Sequence, residues 1–146
     1  MASSPQATVS DARLLNFPRH GRADGFLTVF EAESSVPFPI RRVFLVSADA
    51  GATRGRHAHR QCAQLLVCAS GRCRVVYHDG TDERTATLEP TGQGLHLPPG
   101  LWAEQHYETP GTVLAVFCDL PYDEDDYIRD WEAFIGHRRR MTAQTS

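Results

Sequence analysis

The stretch GATRGRHAHRQCAQLLVCASG, residues 51–71, carries two histidines one residue apart and has a glycine at each end. Successive side chains of a β-strand point to opposite faces, so His57 and His59 are predicted to face one space together. The residues on either side of them are predicted to face the other way. Such a pair suits three roles: a metal clamp, an acid/base pair, or two surface histidines.

The chain on both sides of this stretch consists mostly of short apolar runs. They are rich in Val, Leu, Phe and Thr, and Gly, Pro and Asp separate them; strands are predicted over residues 26–33, 41–48, 63–70, 73–78, 84–89 and 112–120. This pattern is typical of an antiparallel sandwich or barrel. The sequence contains no internal repeat, and it predicts a single domain over residues 11–138 with flexible ends at 1–10 and 139–146.

One segment near the C-terminus, DEDDYIRDWEAFIGHRRR (123–140), predicts a helix. Acidic residues begin it and three arginines end it, which complements the helix macrodipole. Apolar residues at helical spacing predict its packed face: Tyr127, Ile128, Trp131, Phe134 and Ile135.

Composition excludes several classes of protein. The net charge of −3 over 146 residues gives no basic excess for nucleic-acid binding. No apolar run approaches the ~20 residues of a membrane span, and the first residues lack the pattern of a signal peptide. Free, buried thiols in a reducing cytoplasm are expected for the four cysteines, Cys62, Cys68, Cys73 and Cys118.

The spacing of two segments resembles that of cupin barrels, which carry G-x5-H-x-H-x3,4-E-x6-G and then G-x5-P-x-G-x2-H. The first motif is matched, with glutamine in place of glutamate, by Gly51, His57, His59, Gln64 and Gly71. The second is matched, with alanine in place of the last histidine, by Gly92, Pro98, Gly100 and Ala103. The resemblance implies an all-β cupin, a double-stranded β-helix (jelly-roll) barrel, with a short C-terminal helix.

The same comparison argues against a metal. Gln64 stands where many cupins have a glutamate ligand, and Ala103 stands at the position of their third histidine. Two imidazoles alone are too few ligands for a tight divalent site. Cys62, three residues after His59, is expected to face away from the pair. We therefore expect neither a metal nor another cofactor.

A narrower resemblance is carried by RRVFLV (41–46), RGRHAHRQCAQLLVCASGRCRV (54–75), GLHLPPGLWAEQH (94–106) and YDEDDYIRDWEAF (122–134). These segments are similar to the nucleotide-sugar 3,4-ketoisomerases, the small WxcM-like (FdtA/QdtA-type) cupins. Their most specific parts are RG-x-HAH with the following L-V-C-x-x-G, and the closing Y-D-E-x-D-Y-I-R. The resemblance implies a cytoplasmic homodimer that moves the ketone of dTDP-4-keto-6-deoxyglucose from C4 to C3 without metal, in deoxysugar biosynthesis such as that of lipopolysaccharide.

This chemistry gives the histidine pair a role. Removal of the hydrogen on C3, beside the C4 ketone, leaves an enediolate and needs a base that titrates near the working pH. Two imidazoles in one cavity resist double protonation, so one acts as base while the other carries a proton. The resemblance implies that His57 is the base at C3 and that His59 is the proton shuttle or an orienting group.

The resemblance also implies a set of substrate-binding residues. Arg54 matches the arginine of the R-G-x-H-A-H motif and is expected to hold the diphosphate or the sugar. Gln64 is a candidate donor to the enediolate. Arg42 and Arg74 occupy matching strand positions, and Trp102 is expected to stack on the thymine or to close the pocket. The alternative is that both strand arginines are solvated and that Trp102 belongs to the core.

This sequence differs from the family at three positions, and these differences leave its activity open. Family members commonly have tyrosine, arginine and histidine where this chain has Phe44, Asp24 and Ala103. These changes are compatible with a different sugar, a changed regiochemistry or an inactive site. The rival hypotheses are a cupin that binds a nucleotide sugar without converting it, a 3,5-epimerase-like enzyme, and a metal cupin such as a dioxygenase.

Overall fold

Two five-stranded antiparallel sheets face each other in the computed structural model, which describes residues 6–145. The strands are β1 Arg13–Asn16, β2 Arg19–Arg22, β3 Gly25–Thr28, β4 Arg42–Ser47, β5 Thr53–His59, β6 Gln64–Ser70, β7 Cys73–His78, β8 Glu83–Leu88, β9 Gln93–Leu97, β10 Trp102–Tyr107, β11 Val113–Cys118 and β12 Tyr127–Ile128. One sheet has the order β1-β9-β6-β11-β4 and the other β12-β5-β10-β7-β8. This is the cupin jelly roll that the motif spacing implies, and the predicted strands at 41–48, 63–70, 73–78, 84–89 and 112–120 are confirmed.

The main core lies between the two sheets. In β7, buried Cys73, Val75 and Tyr77 alternate with partly exposed residues, which is the period-two pattern of a strand with one face in the core. From the opposite sheet, Leu66 and Leu114 meet them in one apolar cluster. The interior of the barrel is therefore apolar in this part, whereas polar side chains of β5 and β10 line a cavity.

The outer faces of the sheets are covered differently. A loop before β4 places Val36 and Phe38 over Leu65 and Val67, on the outer face of the first sheet. The helix α1, Trp131–Thr145, covers the second sheet, where its fully buried Phe134 packs with residues of β5, β10 and β12. Burying one such aromatic side chain contributes about 1.5–3 kcal/mol. Among the described residues, no helix is long and apolar enough to cross a membrane.

The expected helix over 123–140 is wrong in its first half. Glu124–Asp126 form a 3-10 turn, Tyr127–Ile128 form β12, and α1 begins only at Trp131. Tyr127 pairs with His59 and Ile128 with Ala58 in an antiparallel ladder. Sheet pairing overrides the helical spacing here, because the long-range ladder satisfies backbone groups that a helix would otherwise pair locally.

The ends of the domain also differ from the expected boundaries. Residues 1–5 lie outside the described part, but Val9 is buried and its backbone N–H donates to Asp79 Oδ2 at 3.0 Å. At the other end, the helix continues through Thr145, beyond the expected helix end at residue 140 and the expected domain end at residue 138. The ordered domain thus begins before residue 11, because Val9 joins the main core.

The strand expected over 26–33 is shorter and less buried than its apolar sequence indicates. It comprises Gly25–Thr28 and pairs with β2 as a two-stranded hairpin. Phe26 and Leu27 are 68% and 60% exposed. The β2–β3 hairpin therefore presents apolar side chains to the outside of the domain.

Candidate active site

The histidine pair lies on β5, on the face that points into the barrel. His57 is opposite Ala103 on β10, whereas Ala58 is opposite Trp102 and faces the helix. The ring centroids of His57 and His59 are 5.1 Å apart and their planes are nearly perpendicular, at 86°. The alternation predicted from the sequence holds, and both rings lie in one space.

Two spaces lie beside the histidine pair; both border His57 and Gln64, and only the smaller borders His59. The larger space, hereafter called the cavity, has a volume of about 180 Å³, and its polar lining comes from Arg54, His57, Gln64, Gln105, Tyr107, Tyr127 and Arg129. Beside it, a recess of about 10 Å³ is lined by His59 and Ala103 together with His57 and Gln64. The recess has the room that one water molecule or one hydroxyl group needs.

A β-bulge brings Arg54 to the same side as His57. Simple alternation would place residues 54 and 57 on opposite faces. However, the pairing with β10 jumps from Ala103↔His57 to Glu104↔Gly55, and Arg56 is the extra residue. Gly55 and Arg56 both have positive φ, +84° and +58°. The bulge reverses the alternation, so Arg54 also lines the cavity.

His59 is held by a carboxylate that comes from the other end of the sequence. Its Nδ1 donates to Asp126 Oδ2 at 2.9 Å, and both side chains are at least 90% buried. The same carboxylate accepts the backbone N–H of Gln61 at 2.6 Å and of Cys62 at 3.3 Å. His59 Nε2 is buried without a hydrogen-bond partner among the described residues.

Tyr127 closes the space on the side of β12. Its ring centroid is 5.0 Å from that of His57 and 4.4 Å from that of His59. Its hydroxyl accepts a hydrogen bond from Arg42 Nη2 at 3.0 Å, and the Arg129 guanidinium lies 4.3 Å from its ring centroid. The Y-D-E-x-D-Y-I-R motif thus supplies three residues of the site.

Sequence reasoning missed the site roles of Asp126, Tyr127 and Arg129. It interpreted their segment as the start of a helix. The available signal was the motif itself, which is specific to the family and is richer in acidic and aromatic residues than a solvated helix start needs.

Burial sets the protonation of the two imidazoles. The pKa of His57 falls from 6.5 to about 4, first because burial disfavours its charged form and then because of the nearby His59 charge. The pKa of His59 is lowered by burial as well, but the hydrogen bond and charge of Asp126 act in the opposite direction. At neutral pH His57 is therefore unprotonated and able to accept a proton.

The donor set around the pair fits a metal poorly. Contrary to expectation, Cys62 faces His59: the ligand atoms of His59, Cys62 and Asp126 lie within 4.8 Å of one another. Strand β5 ends at His59 and the chain turns, so alternation does not extend to residue 62. Asp126 already accepts three N–H donors, and Cys62 Sγ donates to Ala63 O. That the protein needs no metal stays a prediction.

The structure brings together some of the other predicted site residues but not all. Gln64 lines the cavity and donates to Cys118 Sγ at 3.5 Å, and Arg42 reaches the same sulfur at 3.8 Å. Arg74 lies on the outer face of β7, where its Nε is 3.9 Å from Glu108 Oε2. It faces away from the histidines because Cys73 and Val75, on either side of it, fill the core.

The expected stacking role of Trp102 is also corrected. Its side chain is on the outer face of β10, with ring centroids 5.3 Å from Trp131 and 5.7 Å from Phe134. Trp102 is thus a core residue between sheet and helix. His106 faces outward too and contacts Thr53 Oγ1 at 3.1 Å, since it lies an odd number of residues after the inward-facing Ala103 on β10.

Comparison with known proteins gives consistent matches. Residues 10–139 match the family model described as FdtA, WxcM-like, C-terminal. A TDP-4-oxo-6-deoxy-α-D-glucose-3,4-oxoisomerase of Aneurinibacillus thermoaerophilus is 36% identical over 123 residues, which cover 84% of this chain and 88% of that protein.

Solved structures with the same fold include QdtA, a sugar 3,4-ketoisomerase from Thermoanaerobacterium thermosaccharolyticum in complex with TDP. It is 31% identical, has a TM-score of 0.86, and the match covers 90% of this chain and 97% of QdtA. A histidine-to-asparagine mutant of QdtA in complex with TDP-4-keto-6-deoxyglucose is 30% identical, with a TM-score of 0.86 and coverage of 90% and 96%.

Proposed function

Because the chain belongs to the FdtA family of WxcM-like proteins, we propose that it is a sugar-nucleotide 3,4-ketoisomerase acting on dTDP-4-keto-6-deoxyglucose. It moves the ketone from C4 to C3 and serves deoxysugar biosynthesis. The observation that carries the proposal is the pair of imidazoles, half-buried His57 and buried His59, facing one small space in an apolar barrel.

The reaction exchanges protons between two neighbouring carbons and their oxygens. His57, neutral at the working pH, takes the hydrogen from C3, and the C4 oxygen gains a proton, so a C3–C4 enediol forms. Return of a proton to C4 and loss of the proton on the C3 oxygen complete the isomerisation. No oxidant or reductant is needed, because the electrons stay within the sugar. Each acid/base group contributes about 10²–10⁴-fold.

The proposed substrate-binding residues differ in exposure: Arg54 is exposed at the cavity, and Gln64 is buried inside it. Arg54 is exposed at the cavity and free to meet a diphosphate in the bidentate geometry that guanidinium groups favour. Gln64 lies deeper, beside His57, and is the donor that we propose for the enediolate. Arg42 acts through Tyr127, which it binds, and not on the phosphate.

We also propose that the enzyme is a homodimer. The apolar β2–β3 hairpin and the edge strand β4 support this, since Leu45 and Val43 on β4 are 68% and 50% exposed. Monomeric proteins rarely leave an apolar edge of this kind uncovered. A second copy of the chain would cover both features.

The cytoplasm is the compartment we propose for this activity. Its support is that Cys62, Cys68, Cys73 and Cys118 are buried as free thiols. Free thiols in the interior of a small domain are typical of a reducing compartment.

The decisive experiment is incubation with dTDP-4-keto-6-deoxyglucose in heavy water, followed by proton NMR. An isomerase produces a new 3-keto sugar, with deuterium incorporated during the reaction. A 3,5-epimerase-like enzyme would exchange hydrogens while the ketone stays at C4. A protein that only binds the nucleotide sugar would leave the sugar spectrum unchanged. Either of these results would refute the proposal.

A further inference from the structure

We propose that Asp126 is a positioning residue that fixes the tautomer of His59 and so assigns the oxygen-to-oxygen proton shuttle to this histidine. The inference rests on the proposed isomerase function and deepens it. Nothing in the HAH motif by itself distinguishes its two histidines. The difference comes from one carboxylate that lies 67 residues after His59 in the chain.

The carboxylate is held more rigidly than an ordinary ion-pair partner. Backbone N–H groups of Gln61 and Cys62 bind its two oxygens, and the 3-10 turn that ends at Asp126 feeds directly into β12. Tyr127, the next residue, is locked onto β5 by the pairing with His59. Asp126 therefore stays in place when the imidazole gains or loses a proton.

This hold leaves His59 a single reactive nitrogen. A carboxylate only accepts hydrogen bonds, so Nδ1 keeps its proton and Nε2 has a free lone pair. Nε2 is buried without a protein partner among the described residues, and His59 lines the recess that has room for one hydroxyl group. A substrate hydroxyl placed there completes the set of hydrogen bonds that the imidazole lacks.

The surroundings divide the roles between the two histidines. His59 faces one anion, Asp126, and the other titratable or charged groups around it are His57, Cys62, Tyr127, Arg42 and Arg129. Burial is the largest effect on the pKa of both imidazoles and lowers both, but among the described residues only His59 has a hydrogen-bonded carboxylate, which acts to raise its pKa. A proton taken up during the reaction is thus better accommodated on His59, beside Asp126, which leaves His57 unprotonated and able to take the hydrogen from C3.

The proton balance closes within the sugar and the pair. His57 takes the C3 hydrogen, while His59 Nε2 takes the proton from the C3 hydroxyl and passes it to the C4 oxygen. The protonated His57 then returns a proton to C4, and His59 is left with its proton on Nδ1 and its Nε2 lone pair free. One C–H and one O–H bond break, one of each forms, and both imidazoles regain their starting states.

The test is Asp126→Asn, with Asp125→Asn as the matched control. The amide of the Asp126→Asn variant would keep an oxygen for Gln61 N–H, but its NH₂ group would donate to His59 Nδ1 and move the ring proton to Nε2. Asp125 lies beside it on the same turn and is exposed, so its change removes equal charge without touching His59. We expect kcat for Asp126→Asn to fall at least 10²-fold with little change in KM, whereas the control stays near the wild-type value.

Two readouts distinguish positioning from a structural effect. Asp126→Asn should retain hydrogen exchange at C3, which needs only His57, while formation of the 3-keto sugar falls. Nitrogen-15 NMR of labelled histidine should show His59 protonated at Nδ1 in the wild type and at Nε2 in the variant. Parallel loss of exchange and product, an unchanged tautomer, or wild-type turnover would each overturn the proposal.

The tautomer measurement needs no substrate, so it separates this inference from the proposed function. If the wild type converts no keto sugar, the proposed function fails, and the spectrum still decides whether Asp126 controls His59. If Asp126→Asn does not fold, the wild type alone remains decisive: a His59 protonated at Nε2 and not at Nδ1 refutes the inference.

Discussion

The partial burial of His57 predicts an acid-sensitive fold whose sensitivity a single substitution reduces. The pKa of this imidazole is about 4 in the fold, against 6.5 for an exposed histidine. Between pH 4 and pH 6.5, His57 binds a proton in the unfolded chain but stays unprotonated in the folded chain. The free energy of unfolding therefore decreases as the pH falls from 6.5 through 4.

The size of the effect follows from the two pKa values. At pH 5 the unfolded chain is almost fully protonated at this position and the folded chain is about one-tenth protonated, which costs about 2 kcal/mol of stability. At pH 8 the same group contributes nearly nothing. His57→Asn removes the titration, so the variant should gain about 2 kcal/mol relative to the wild type between pH 8 and pH 5, whatever its stability at pH 8.

The assay is urea unfolding of both proteins at pH 8, 6.5 and 5, with the midpoints and slopes measured by circular dichroism. His106→Asn, on the outer face of β10 and away from the proposed dimer interface, controls for the loss of one imidazole. If the stability of His57→Asn follows the same pH dependence as the wild type, the imidazole of His57 is not desolvated as the structure indicates. Its assignment as the neutral base would then lose its physical basis.

Other predictions concern catalysis, binding and assembly. In His57→Asn, hydrogen exchange at C3 and product formation should both fall by 10²-fold or more. In His59→Asn, exchange should be retained while product formation falls. Proton NMR in heavy water measures both, and wild-type rates in either variant would contradict the assignment. Arg54→Ala should weaken TDP binding by ~1.5–3 kcal/mol, measured by calorimetry. The control Arg74→Ala, on the outer face of the barrel, should leave the TDP affinity unchanged. An equal loss of TDP affinity in both variants would reject the role of Arg54. Activity should survive dialysis against a chelator, and its loss with recovery on adding a divalent ion would show a metal requirement. Light scattering should give the mass of a dimer at micromolar concentration, and Leu45→Lys should shift it toward the monomer; a monomeric wild type would refute the proposed interface.

Much of the fold and one part of the site follow from local sequence. Period-two runs broken by Gly, Pro and Asp are sufficient for a β-barrel, because alternation within one strand is a local property of the backbone. The same property puts His57 and His59 on one face. The glycine and proline spacing around them identified the cupin frame, and the missing Glu and His ligands were visible at Gln64 and Ala103.

Trp102 shows why alternation alone cannot assign a side chain to the cavity. Strand β10 is buried on both faces, with the core on one side and α1 on the other, so an apolar residue fits either. Only the pairing of Ala58 with Trp102 and of His57 with Ala103 settles which face is the interior.

Which other side chains reach the histidine pair depends on where strands bulge, where they end and which strands they pair with. A bulge at Arg56 turns Arg54 toward His57, and the end of β5 lets Cys62 turn back to His59, since alternation does not continue through an extra residue or a turn. The segment 123–130 looks helical by its spacing, yet it pairs with β5 and delivers Asp126 to His59. The sequence by itself thus determined the barrel and the histidine pair, whereas tertiary structure decided what surrounds the pair, because contacts between residues far apart in the chain leave no periodic signal in the sequence.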